Sequence, residues 1–185
     1  MLAKLLAERV EKKTDINEHL LFLRDLVNEH QVERVVEFGV RDGNSTLAFL
    51  NSTCQHLLSV DPDWHKVMDA VESAYVEAPD PKPEWRFIQS DDLLIPPVEC
   101  DLLFIDSNHT SGHLRKELAL HAAGVRRFIV LHDTETFMDW DQFRKEPGMR
   151  AAINAFFTAP EWTVKIHLSN CNGLTVYERS CHVKA

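Results

Sequence analysis

The stretch RVVEFGVRDGNSTLAFL, residues 34–50, decides how the rest of the chain is interpreted. An apolar run ends at Glu37 and Phe38, two glycines follow four positions apart, and a helix-like segment opens with Asn44 and Ser45. A buried strand, a glycine turn and a helix are the units of a parallel α/β sheet. Glycines in such a turn indicate that something approaches the backbone closely, which leaves a phosphate, a nucleoside or no ligand open.

The same alternation of apolar runs and amphipathic segments continues along the chain. The predicted parallel strands are 34–39, 56–61, 85–90, 101–106 and 127–132, and the predicted terminal pair is 162–168 and 174–179. The last pair is joined by a short loop containing Asn172 and Gly173, which is a hairpin signal. The sequence therefore predicts an α/β, Rossmann-like three-layer sandwich: a mostly parallel seven-stranded sheet with a C-terminal antiparallel hairpin.

Length and composition limit the number of domains and the kinds of binding partner that the chain is expected to have. The 185 residues suffice for a single domain, in which a helical segment at 1–30 is expected to pack on a domain formed by 31–185. A formal net charge of −9 disfavours binding to a phosphate backbone, so no nucleic-acid partner is expected. The oligomeric state stays open, although an amphipathic N-terminal helix favours a homo-oligomer.

The cysteines and the hydropathy pattern suggest a compartment. The four cysteines are scattered and form no C-x-x-C pair, which favours a reducing environment. The N-terminus lacks the apolar core of a signal peptide, and no segment approaches the roughly 18 apolar residues of a membrane span. We therefore expect a cytoplasmic protein without a membrane partner.

Acidic side chains follow every predicted parallel strand, and the carboxyl ends of parallel strands meet at one edge, where ligands bind. The chain has neither a G-x-G-x-x-G nor a G-x-x-x-x-G-K-[ST] motif, and Glu37 would repel a pyrophosphate. Asp61, at the end of the second strand, is placed to accept hydrogen bonds from a ribose. The expected ligand is thus a nucleoside with a cationic tail and no phosphate.

The segment EFGVRDG, residues 37–43, resembles the E-x-G-x-x-x-G first motif of class I methyltransferases that use S-adenosylmethionine (SAM). The resemblance implies SAM as the cofactor, with the glycine turn against its methionine part, Asp61 on the ribose, and Asp91 beside Ser90 near the adenine. The cofactor-binding residues that it implies are Glu37, Phe38, Gly39, Gly43, Asn44, Ser45, Asp61, Ser90, Asp91 and Asp106.

Motifs in the second half of the chain resemble those of a smaller group within these methyltransferases. FIDSNH (104–109), IVLHDT (129–134) and CNGLTVYER (171–179) look like a group of small methyltransferases that includes cephalosporin hydroxylase-like proteins and macrolide sugar O-methyltransferases. This resemblance implies that Asp106, His132 and Asp133 bind Mg²⁺ or Mn²⁺ and that His109 is the general base. Relatives often have Glu-Asp where this chain has His132-Asp133.

The implied activity is O-methylation of a small-molecule hydroxyl, with a sugar or another polyol as the acceptor and a divalent metal assisting. Two alternatives remain open. One is a different SAM-dependent reaction in the same pocket, such as aminopropyl transfer, and the other is a SAM- or nucleoside-binding module without catalysis. Acceptor specificity is expected to reside in residues 1–30 and 135–147, where the pattern is weakest.

Overall fold

The computed structural model describes residues 1–180, so the C-terminal positions, including Cys181, lie outside the described part. Its single sheet is ordered β3-β2-β1-β4-β5-β7-β6. The first five strands are parallel, and β7 is antiparallel to both β5 and β6. This confirms the predicted seven-stranded sheet and its terminal hairpin. The strands are β1 (Arg34–Phe38), β2 (His56–Asp61), β3 (Glu84–Gln89), β4 (Cys100–Ile105), β5 (Val125–His132), β6 (Trp162–Leu168) and β7 (Leu174–Arg179).

Helices cover both faces of the sheet. They are α1 (Leu2–Glu11), α2 (Leu20–Glu29), α3 (Asn44–Leu50), α4 (Met68–Val76), α5 (Ser111–His121) and α6 (Arg150–Phe156). Apolar residues of α1 to α4 share one core cluster with the sheet, and those of α5 and α6 share the other. Successive side chains of a strand point to opposite faces of the sheet, so Val35 belongs to the first cluster and Val36 to the second. Burial of both faces explains why the strands read as continuous apolar runs.

The N-terminal helices pack on the first face of the sheet, mainly against α3. Leu20, Leu23 and Val27 of α2 are fully buried there. Leu2 and Leu6 of α1 are also buried in the chain's own core, so this helix face gives no support to a homo-oligomer. The division of the chain at residue 30 and the oligomer stay predictions. Within the described residues, no helix is both long enough and apolar enough to span a membrane.

The chain order of the sheet creates a crevice beside β1. The chain moves outward from β1 through β2 to β3 and then returns to β4 on the other side of β1. Because the chain order reverses at β1, the loops that follow β1 and β4 run to opposite sides of the sheet and leave a crevice between them. Ligands of open parallel sheets bind in such a crevice. The loops after β1, β2, β3, β4 and β5 are therefore the elements that build the candidate site.

Candidate active site

The glycine turn after β1 is dictated by close backbone packing. Gly39 has a φ of +81°, and a Cβ at this position would lie 2.1 Å from the carbonyl oxygen of Asp106. Gly43 has a φ of +71°, and its Cβ would lie 2.3 Å from Met68 Sδ. Both glycines are thus required by the left-handed backbone and by their neighbours. Contact of either glycine with SAM stays a prediction.

Glu37 lies inside the protein, beneath the glycine turn. Its Oε2 accepts hydrogen bonds of 2.7 Å from both Thr46 Oγ1 and Ser59 Oγ, which connects β1 to α3 and β2. The other oxygen, Oε1, is buried and has no hydrogen-bond partner. Burial raises the pKa of Glu37 to about 7, although hydrogen bonds from Ser45, Thr46 and Ser59 act against it. Because the residue is 0% exposed, the predicted contact with the cofactor requires its side chain to move.

Asp61 holds the glycine turn in place. Its Oδ2 accepts hydrogen bonds from the backbone N–H groups of Val40 at 2.7 Å and Arg41 at 3.0 Å. Its Oδ1 accepts from the N–H of Asp63 at 2.9 Å, in the loop that precedes α4. Helix α4 begins after this loop, at Met68. Asp61 Oδ2 already accepts two bonds, but Oδ1 accepts one and can accept another, so a ribose contact remains compatible with this geometry.

Three further predicted cofactor residues lie around the turn. The ring of Phe38 is fully buried and packs on His121, on the face of the sheet that α5 covers, so only its backbone reaches the edge. Asn44 and Ser45 open α3 and are buried. Asn44 Oδ1 accepts a hydrogen bond of 3.1 Å from Arg9, which attaches α1 to the turn.

The loop after β3 separates its two aspartates. Asp91 is exposed, and its Oδ1 accepts a hydrogen bond of 2.8 Å from the N–H of Leu93. Ser90 is half-buried and donates to the carbonyl of Asp91. Asp92 is buried, and its carboxylate lies 3.0 Å from His113 Nε2. Asp91 is therefore the more accessible of the two carboxylates, and its contact with the adenine stays a prediction.

Four side chains from the ends of β4 and β5 converge at the centre of the edge. His109 Nε2 lies 2.7 Å from Asp133 Oδ2 and 3.4 Å from Asp106 Oδ1. His132 Nδ1 lies 3.3 Å from Asp106 Oδ1 and 3.2 Å from Asp133 Oδ1. The two predicted metal-binding aspartates, the predicted third ligand and the predicted base thus form one cluster.

The two histidines of this cluster balance its carboxylates. Burial lowers the pKa of His109, but hydrogen bonding and charge from Asp106 and Asp133 outweigh it and raise that pKa to about 10. Burial and the same two aspartates act on His132 in the same way, and its pKa is also about 10. Burial raises the pKa of Asp133, but the imidazoles hold it below its ordinary value. Without another cation, both histidines are therefore protonated near neutral pH.

The donor atoms of the cluster fit a divalent cation. Ligand atoms of Asp106, His109 and Asp133 all lie within 4.8 Å of one another. Asp133 Oδ1, although near His132 Nδ1, has no hydrogen-bond partner, and neither has the buried Nε2 of His132. Oxygen donors suit Mg²⁺, and a mixed oxygen and imidazole set also suits Mn²⁺. Metal binding here stays a prediction, as does the choice of His109 as base rather than ligand.

The loop after β5 covers His109. The ring of Phe137 stacks on the imidazole at a centroid distance of 4.6 Å, and Gln142 Oε1 lies 3.0 Å from His109 Nδ1. Both residues belong to the 135–147 segment that was expected to influence acceptor specificity. Sequence reasoning did not identify either residue as a neighbour of His109, because the contact joins loops from different strands.

Comparison with known proteins agrees with this fold. The sequence profile of a family described as a methyltransferase domain matches residues 36–134, more than half of the chain. The fold and the match define a class I SAM-dependent methyltransferase. The chain belongs to this methyltransferase-domain family. No curated protein matches the chain significantly.

Solved structures share the fold at low sequence identity. A Corynebacterium glutamicum protein is 20% identical to this chain, with a TM-score of 0.67. The superposition covers 100% of this chain and 90% of that protein. A Bacillus cereus O-methyltransferase in complex with S-adenosylhomocysteine (SAH) is 15% identical with a TM-score of 0.63, covering 97% and 89%. The N-methyltransferase NodS of Bradyrhizobium japonicum, in complex with SAH, is 11% identical with a TM-score of 0.61, covering 96% and 98%. The fold thus serves both oxygen and nitrogen acceptors.

Proposed function

We propose that the chain methylates a hydroxyl oxygen of a small molecule, with a sugar or another polyol as the acceptor. The observation that carries this proposal is the convergence of Asp106, His109 and Asp133, whose ligand atoms lie within 4.8 Å of one another. A histidine beside carboxylates that can bind a cation suits deprotonation of a hydroxyl group. Bound SAM supplies a methyl carbon that already carries its leaving group, so the chain's main task is to position and deprotonate the acceptor.

His109 is the proposed proton acceptor. Its Nε2 faces Asp133 and Asp106, and Gln142 holds its Nδ1, so the orientation of the ring is set from both sides. An imidazolium cannot accept a proton. The role of base therefore requires another cation, here the proposed metal, to balance the two carboxylates.

Asp106, His132 and Asp133 are the proposed ligands of Mg²⁺ or Mn²⁺, which would lower the pKa of a coordinated hydroxyl. The unpartnered buried atom Asp133 Oδ1 supports this assignment. His132 would bind through Nδ1, the ring nitrogen that faces both aspartates. So does the backbone of Asp133, whose φ of +61° is unusual for a residue other than glycine. Strained conformations of this kind cluster at functional sites.

The cofactor is proposed to lie along the edge from β4 to β3, against the glycine turn. Asp61 would contact the ribose, and Ser90 with Asp91 would contact the adenine. The accessible groups there are carboxylates and backbone atoms, while the nearby guanidinium of Arg41 is already bound to Asp15 at 2.7 and 2.9 Å. This set suits a cationic nucleoside better than a phosphate. We further propose a cytoplasmic location, which the free cysteines 54, 100 and 171 support.

The experiment measures SAH formation from SAM with a panel of sugars and polyols in the presence of Mn²⁺ or Mg²⁺. His109→Ala should lower kcat by roughly 100-fold or more, with little change in SAH affinity. His56→Ala removes a surface histidine at the start of β2, 3.3 Å from Glu84 and at the end of the strand away from the site, and serves as the matched control. Activity that survives in His109→Ala would contradict the base assignment, and activity that a chelator leaves unchanged would contradict the metal. SAH binding without turnover on any acceptor would favour a non-catalytic module.

A further inference from the structure

Helix α5 directs a second polar cluster toward the loop after β3. His113, Glu117 and His121 are spaced four residues apart, which puts them on one face of the helix. His113 Nε2 lies 3.0 and 3.3 Å from the two carboxylate oxygens of Asp92. His121 Nε2 lies 3.0 Å from the carbonyl oxygen of the same aspartate. Apart from Asp91 on its rim, the cluster uses no residue of the proposed reaction.

The donor atoms of this cluster lie close together. Those of Asp91, Asp92 and His113 are all within 4.8 Å of one another. Glu117 Oε1 lies 3.7 Å from His113 Nε2 and accepts a hydrogen bond from Ser107. Three carboxylates therefore surround a single imidazole.

Glu117 independently indicates that something more belongs in the cluster. Its side chain is fully buried, and its Oε2 has no hydrogen-bond partner. Leaving a carboxylate oxygen buried and unpartnered is unfavourable. His113 Nε2 already faces the carboxylate of Asp92, so it does not by itself satisfy the remaining oxygen of Glu117.

We propose that Asp91, Asp92, His113 and Glu117 bind a zinc ion. Zinc holds nitrogen and oxygen ligands at about 2.0–2.2 Å, so neighbouring ligands of a tetrahedral site are about 3.3–3.5 Å apart. His113 Nε2 lies 3.0 Å from the nearer oxygen of Asp92 and 3.7 Å from Glu117 Oε1, two ligand pairs whose separations bracket that spacing. The imidazole donor favours zinc over Mg²⁺, which prefers oxygen ligands.

Zinc in this position would join the loop after β3 to α5. It is a structural site, because Asp92 and Glu117 are buried and only Asp91 is exposed. The site does not depend on the methyl acceptor, and it would fix the loop that carries Ser90 and Asp91. Asp91 is the one residue shared with the proposed cofactor site, and zinc binding is measured without SAM, so the two proposals can fail separately.

The test titrates zinc into chelator-treated full-length protein and measures both binding stoichiometry and thermal stability. The titration is run in an Asp106→Asn, Asp133→Asn background, so that the cluster at β4 and β5 does not contribute carboxylates. We expect one tightly bound zinc and a rise in Tm. Both should be lost in His113→Asn and kept in His56→Asn, a control that removes a surface histidine 3.3 Å from Glu84.

Two results would overturn the proposal: no zinc binding in the background protein, or equal binding after His113→Asn. The first would leave the His113–Asp92 ion pair as the whole role of the cluster. If circular dichroism shows that the His113→Asn protein is unfolded, Asp91→Asn replaces it, because Asp91 is exposed. That variant should bind zinc roughly tenfold more weakly or worse, and unchanged affinity would also contradict the site.

Discussion

Gly39 carries the tightest constraint among the residues of the site. Alanine there would combine a left-handed φ of +81° with a Cβ only 2.1 Å from the carbonyl oxygen of Asp106. We expect Gly39→Ala to lower the free energy of unfolding by about 2 kcal/mol or more, measured by urea denaturation. Gly112 in α5 has no atom within 4 Å of an added Cβ, so Gly112→Ala should stabilise the protein by up to about 1 kcal/mol. Equal effects of the two variants would contradict the close packing of the glycine turn.

Glu37 should make stability depend on pH. Its pKa is raised to about 7 in the folded protein, so the folded state holds this proton more tightly than the unfolded chain, whose value is near 4.5. The stabilisation is complete below pH 4.5 and is lost as the pH rises through 7, an effect of roughly 3 kcal/mol. Glu37→Gln removes the titration, so its stability relative to wild type should improve between pH 5 and pH 8.

Denaturation at several pH values measures this difference. Glu72→Gln removes an exposed carboxylate of α4 and serves as the control. A Glu37→Gln protein whose stability parallels that of wild type at every pH would show that the pKa of Glu37 is not raised in the folded protein.

The acidic side chains at the strand ends could be predicted from the sequence, but their hydrogen-bond partners could not. Asp61, Asp106 and Asp133 were predictable as neighbours because parallel strands end at one edge. The bonds of Glu37 to Thr46 and Ser59 join separate elements, so no local pattern reveals them. The polar face of α5, by contrast, could have been recognised from the sequence. His113, Glu117 and His121 are spaced four residues apart, which places them on one side of a helix.

At the scale of elements, the N-terminal helices provide a clear test of packing. Leu23 of α2 is fully buried, whereas Leu21 of the same helix is 40% exposed. Leu23→Ala should lower the free energy of unfolding by about 2–5 kcal/mol, and Leu21→Ala should have a much smaller effect. The measurement is urea denaturation of both variants. A small effect at Leu23 would mean that the 1–30 segment is not part of the cooperative core.

The elements were predicted best where the apolar pattern was continuous. Strands β2, β6 and β7 have the predicted bounds, and the other strands differ from theirs by one or two residues. Helix α6 was not predicted because its seven residues bury only Ala152 and Ile153. So short a segment shows too little periodicity to distinguish a helix from a loop.

At the scale of the whole molecule, one sheet edge gathers the glycine turn, the acidic strand ends and the covering loop after β5. The topology was predictable because a chain in which strands alternate with helices and that ends in a hairpin can form only a few sheet topologies. The identity of the acceptor was not predictable, because it depends on side chains such as Phe137 and Gln142 that meet His109 only in the folded protein. The net charge of −9 is consistent with the proposal of a cationic cofactor at this edge.

The most direct test of the account is calorimetric titration of the full-length protein with SAH. We predict saturable binding of one SAH per chain. Asp61→Ala should weaken it, because this change removes both the proposed ribose contact and the hydrogen bonds to Val40 and Arg41. Glu72→Ala, which removes an exposed carboxylate on α4, should leave it unchanged. The absence of binding of both SAH and SAM at millimolar concentration would contradict the proposed cofactor site.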